Sequence, residues 1–143
     1  MKTTVKFEYH NGISICKMYK KGKLIGCGSA QCHNNDEDMQ SERVGCFIAE
    51  CRANIDRMRN YRNTELIPGL KALNHLQNCI IRSKEYNPKS YEANMIRKQI
   101  KAKEKEIAMI NDDIKMELQY LREYIENKDI MYRRLRKQRD KNN

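Results

Sequence analysis

From Lys89 to Asn143 the chain contains neither glycine nor proline, and apolar residues recur through this stretch at three- and four-residue intervals. Ile96, Ile100, Ile107, Ile110 and Ile114 follow a heptad pattern in which Lys103 fills one inward position. Leu118, Leu121, Ile125, Tyr132 and Leu135 resume it after a stutter, with Lys128 at a second polar position. This spacing predicts a coiled-coil-type helix. Asn87-Pro88 supplies a start signal, asparagine as cap and proline at the first helical position, where its missing donor is no loss. A helix of about 50 residues would extend roughly 75 Å at 1.5 Å per residue.

Such a stripe needs something to cover it, and the remaining chain looks too small to do so. Either the helix pairs with a second copy through Ile96, Ile100, Ile107, Ile110, Ile114, Leu118, Leu121 and Ile125, or it folds back near Asn111-Asp112-Asp113 or Asn127. The dimer is the expectation, because neither candidate break contains glycine or proline. Lys103 and Lys128 would weaken the zipper while restricting its register.

Ahead of this helix, Val5, Phe7 and Tyr9 alternate with Lys6, Glu8 and His10, the period of a half-buried strand. Asn11-Gly12 then reads as a two-residue hairpin turn, a second strand runs from Ile13 to Lys20, Lys21-Gly22 reverses the chain, and a third strand covers Leu24 to Gln31. Gly26, Gly28 and Ala30 share one face of that third strand, which invites close approach by a helix. After a polar loop, Val44, Phe47, Ile48, Cys51, Ile55 and Met58 recur at helical spacing, and Gly45, Ala49 and Ala53 form a second stripe of small residues. Asp38 or Ser41 is placed to cap this helix. Pro68-Gly69 predicts an interruption. Beyond it, Leu70, Leu73, Leu76 and Ile80 mark a helix ending near Ser83. The fold class expected is therefore α+β: residues 1–85 form a small head with a three-stranded antiparallel sheet and packed helices, and residues 88–143 form the long helix.

Composition narrows the partners. The chain is 34% charged and 39% hydrophobic, has no tryptophan and two phenylalanines, and carries a formal charge of +10 at pH 7. That balance favours polyanionic surfaces. Arg57, Arg59 and Arg62 surround Tyr61, and Arg133, Arg134, Arg136, Lys137 and Arg139 crowd the last turns of the long helix. A guanidinium matches phosphate with two parallel hydrogen bonds, so both clusters are candidate contacts to nucleic acid or another acidic partner. No apolar run approaches the ~20 residues of a membrane span, and the first residues lack a signal peptide's apolar core. A cytoplasmic location without a membrane partner is expected, with the six cysteines reduced.

Motifs for chemistry are sparse. Cys27, Cys32, His33, Cys46 and Cys51 lie near one another, yet no CxxC or HxxxH pair occurs, and Cys46 and Cys51 fall about 140° apart around a helix. Pairing Cys32 or Cys16 with His33, His10 or His75 yields no nucleophile with an orienting third residue. Asp36-Glu37-Asp38 lacks the remaining ligands of a calcium loop. No phosphate-cradling loop or nucleophile elbow is present. The chain is read as having no catalytic residue, metal or cofactor, and as not being an enzyme.

The segment Gly28-Ser29-Ala30-Gln31-Cys32-His33-Asn34-Asn35-Asp36, followed by Gly45-Cys46-Phe47-Ile48-Ala49-Glu50-Cys51-Arg52-Ala53, resembles a family of small proteins from phages and prophages of Gram-positive bacteria. Their pattern reads Gly-x-Ala-x-Cys-His-Pro-x-Asp and then Gly-x-x-Ile-Ala-x-x-Arg-Ala; here Asn34 stands in place of the proline. The resemblance spans about residues 24 to 53 and implies a mobile-element origin without catalytic residues. The strand-strand-strand-helix order also resembles the double-stranded RNA-binding fold, but Asp36-Glu37-Asp38 occupies the place of that module's lysine cluster and argues against such use.

These readings lead first to a non-enzymatic phage accessory protein that binds and blocks a host nucleic-acid-processing defence complex, of the anti-CRISPR type. The alternatives are a dimeric DNA- or RNA-binding protein using the basic helix, and a coiled-coil scaffold.

Overall fold

A computed structural model describes residues 2–31 and 42–142. Three strands, β1 (Thr4–His10), β2 (Ile13–Lys20) and β3 (Lys23–Gln31), form an antiparallel meander in the order β1-β2-β3. Both reversals are two-residue turns with positive φ at each central residue: Asn11 at 52° and Gly12 at 80°, then Lys21 at 55° and Gly22 at 76°. That geometry matches the twist of the flanking strands and sets their register, pairing His10 with Ile13 and Lys20 with Lys23. Helix α1 (Glu42–Tyr61) follows, then a π-helical turn over Arg62–Leu66, helix α2 (Ile67–Ile81) and helix α3 (Tyr91–Asn142). The fold is α+β with a long C-terminal helix. Asp36-Glu37-Asp38, the proposed caps Asp38 and Ser41, and the pair Cys32 and His33 lie outside the described residues.

The chain divides into two compact units, Met1–Arg57 with Ile114–Asn143, and Met58–Asp113. This differs from a division near residue 86. The connection at residues 82–90 is an internal turn of the second unit, and both helices α1 and α3 continue from one unit into the other.

In the first unit α1 lies against β2 and β3 through its small residues. A Cβ placed on Gly26 would come 2.5 Å from the Ala53 carbonyl oxygen, and one on Gly28 would overlap the Ala49 carbonyl oxygen and the Ala53 amide nitrogen. The helix therefore rests on the strand almost backbone to backbone. Gly45 likewise leaves room for Ser14, which is buried beneath it. The bulkier stripe of α1 turns to α3 instead. Phe47 lies against Tyr124 at 4.4 Å between ring centres with the planes tilted by 42°, and meets Tyr120 edge-on at 6.1 Å. Ile48, Cys51, Ile55, Ile114 and Leu121 are all buried in this unit.

The second unit is a helical hairpin. The backbone stays right-handed helical from Tyr61 through Ile67, and the Ile67 N–H donates to the Arg62 carbonyl five residues back. The interruption expected at Pro68 thus takes the form of a π turn. A proline ring crowds the carbonyl four residues before it and cannot donate to it, and one wider turn relieves both problems without ending the helix. Thr64 Oγ1 also donates to the Asn60 carbonyl at 2.7 Å. Leu66, 2% exposed, is the largest fully buried side chain among the described residues.

Helix α3 begins at Tyr91, later than Asn87-Pro88 suggests. Asn87 Oδ1 accepts from the Lys89 N–H at 3.0 Å to form a local turn, and Ser90 Oγ accepts from the Ala93 N–H at 3.2 Å as the true cap. Along the hairpin, Arg62 Nη1 donates to Asn111 Oδ1 at 2.8 Å, and the Lys103 stem passes over Gly69. Lys103, the defect in the isoleucine seam, is thus accommodated where α2 has no side chain, and its ammonium lies 3.9 Å from Glu106.

Part of the seam is buried within a single copy. Ile96 and Ile100 are buried in the second unit, and Ile114 and Leu121 in the first, all within one chain. Ile107, Ile110, Leu118 and Ile125 are half-buried. Helix α3 continues through Asn111-Asp112-Asp113 and Asn127 without a fold-back. Within the first unit its aromatic side chains Tyr120 and Tyr124 meet Phe47 of α1, and within the second Lys103 lies over Gly69 of α2.

Candidate nucleic-acid interface

The arginines around Tyr61 do not converge. Residues 57 and 59 stand 200° apart around α1, so they present opposite faces. Arg57 is held by Asn54, whose Oδ1 accepts from Nε at 3.1 Å and from Nη2 at 2.7 Å. Arg62 donates from Nε to Asn63 Oδ1 at 3.0 Å and from Nη1 to Asn111. Arg57 and Arg62 are half-buried, whereas Arg59 and Tyr61 are exposed. Arg57 is therefore tied to its own helix and Arg62 to α3, the latter through a partner 49 residues away in sequence.

The second basic cluster has a different character. The backbone is helical through Arg133, Arg134, Arg136, Lys137 and Arg139, and the side chains of Arg134 and Lys137 are exposed. From residue 128 to 142 the sequence carries seven basic and two acidic residues, so this helix end concentrates positive charge. Clustered Arg and Lys of this kind supply the charge that phosphate contacts require.

The thiols are divided by burial. Burial pushes the Cys16 thiol up to about 11, reinforced by the nearby Glu50 charge, and the same cause raises Cys51 to about 11, with Glu117 adding its charge and a hydrogen bond. Burial also raises the Tyr124 hydroxyl. Neither Cys16 nor Cys51 is a nucleophile at neutral pH, which removes Cys16 from any pairing with His10, His33 or His75. A pair that sequence reading missed is Cys79 and His75, one turn apart on exposed α2 with Sγ 3.7 Å from Nε2. Spacing of four on a helix was the available signal. Among the described residues no group of three or more His, Cys, Asp or Glu is placed to hold a metal ion, and no helix is long and apolar enough to cross a membrane.

A pH dependence follows. In the unfolded chain each thiol ionises near its ordinary value of 9.0, whereas the folded values lie near 11. The folded state holds these protons more tightly, so the stabilisation is complete below pH 9 and is lost as pH rises through 11, by roughly 3 kcal/mol per thiol. Urea midpoints should fall across that window. At neutral pH a thiol reagent should label exposed Cys27 and Cys79 at once, and Cys16 and Cys51 only on unfolding.

In comparison with known proteins, no family model, no curated protein and no solved structure matches this chain.

Proposed function

We propose that the chain is a non-enzymatic binding protein whose α3 terminus docks on the polyanionic face of a host nucleoprotein complex, in the manner of a phage accessory protein that blocks a defence complex. The observation that carries this reading is the helix end itself, where Arg134 and Lys137 are exposed within a strongly basic run. The phage assignment rests on the resemblance of residues 24 to 53. The rest of the molecule serves as a scaffold in this reading: Arg57 is tied to Asn54, Arg62 to Asn111, and the buried thiols stay protonated.

Direct binding of naked DNA or RNA is the second reading, and the same basic run supports it. Deleting residues 131 to 143 removes the basic run while leaving the buried residues Ile96, Ile100, Ile114 and Leu121 in place. If the five residues Arg133, Arg134, Arg136, Lys137 and Arg139 each neutralise a phosphate, the affinity for duplex DNA should fall with salt at a logarithmic slope of roughly −4.5. The truncated chain should bind neither duplex nor nucleoprotein. Undiminished binding by the truncated chain would overturn both readings, and binding to the nucleoprotein alone, lost on truncation, would select the first.

A further inference from the structure

The two edges of the sheet are treated differently. Along the outer edge of β3, Asp56 Oδ2 accepts from the Cys27 N–H at 2.9 Å, and Arg52 Nη1 donates to the Ser29 carbonyl at 2.7 Å. Side chains from α1 thus occupy backbone groups that another strand would need. Along β1 no described side chain plays this part. Val5, Phe7 and Tyr9 are 37%, 46% and 37% exposed, although their β2 partners Met18, Cys16 and Ser14 are buried on the same face. An apolar strand with an open edge is a template for another strand.

We infer that β1 pairs antiparallel with β1 of a second copy about a two-fold axis at Phe7, joining two sheets into one of six strands. The two-residue turn at Asn11-Gly12 makes His10 and Ile13 a hydrogen-bonded pair, so Thr4, Lys6, Glu8 and His10 direct their backbone groups to β2. Val5, Phe7 and Tyr9 direct theirs outward. An axis at Phe7 pairs all seven strand residues with the second copy, and places Val5 opposite Tyr9 and Phe7 opposite itself, each pair exchanging two backbone hydrogen bonds.

Charge selects this register. With the axis at Phe7, Lys6 lies opposite Glu8 of the second copy, twice by symmetry. Moving the axis by one residue places Lys6 opposite Lys6 or Glu8 opposite Glu8. On the other face, the Val5, Phe7 and Tyr9 stripes of the two copies become neighbours, as an isologous contact requires. This inference is independent of the α3 reading, and it locates self-association at the sheet edge instead of the isoleucine seam.

The test is charge-reversal complementation on the full chain, with mass followed by light scattering. The natural chain should have twice its 17.0 kDa mass. K6E and E8K should each weaken association by about a hundredfold, since each turns two attractions into two repulsions. Loss of the exposed Glu8–Lys17 contact in E8K affects the single chain little. Mixing the two variants should regenerate dimer, because every facing pair is then opposite in charge, and the double variant K6E/E8K should dimerise alone. A monomeric natural chain, dimers indifferent to both reversals, or a mixture that stays monomeric would overturn the inference.

Discussion

Replacing Gly28 with valine is expected to destabilise the first unit by about 3 kcal/mol or more, the largest effect of any single substitution in the sheet. A Cβ there meets the Ala49 carbonyl oxygen, the Ala53 amide nitrogen and, at 2.8 Å, the Arg52 carbonyl carbon, all of them backbone atoms of α1 that no rotamer change can move aside. The helix must lift from β3, and lifting it also stretches the Asp56 and Arg52 bonds that close the strand's outer edge. Gly22→Ala is the control. Gly22 has a φ of 76° with nothing within 4 Å of an added Cβ, so its substitution should cost only about 1 kcal/mol of conformational strain. Urea unfolding of the two variants reads the difference. Equal losses would mean that backbone conformation, and not the closeness of α1 to β3, sets the requirement for glycine at position 28.

The hairpins were legible because their determinants are local: Asn11-Gly12 and Lys21-Gly22 specify two-residue turns whatever lies elsewhere, and the bounds of β2 follow directly. The small residues on β3 and α1 were legible as a close contact because two stripes of matching character stood on neighbouring elements. Burial was less legible. Val5, Phe7 and Tyr9 have the alternation of a half-covered strand, but covering them depends on how far α1 extends across the sheet, and α1 sits over β2 and β3. Pro68 misled because a proline removes one hydrogen bond and does not dictate whether the chain turns away or widens a single turn. The arrangement of the arginines near Tyr61 was less legible: composition marks a basic cluster, while helical phase sets Arg57 and Arg59 on opposite faces and the distant Asn111 engages Arg62.

The isoleucine seam carries the other large effect. Periodicity establishes that Ile114 and Leu121 face something apolar, yet it is silent on whether that surface belongs to the same chain. Both are at most 6% exposed in a single copy, in the unit where Phe47 meets the rings of Tyr120 and Tyr124. Truncating either to alanine removes buried methylenes and leaves a cavity that flanking helices close only in part, so each should cost about 3 kcal/mol. Because the partner surface is intramolecular, the loss relative to the natural chain should be the same in dilute and concentrated solution. A coiled-coil dimer built on these residues would behave otherwise, since its folding and association share one equilibrium and dilution would deepen the defect. Pairing through β1 leaves this distinction intact: Ile114→Ala and Leu121→Ala do not touch the sheet edge, so they should lower the urea midpoint while leaving the dimer mass unchanged below the transition. Loss of the dimer in either variant under folding conditions would return the seam to the role that its spacing first suggested.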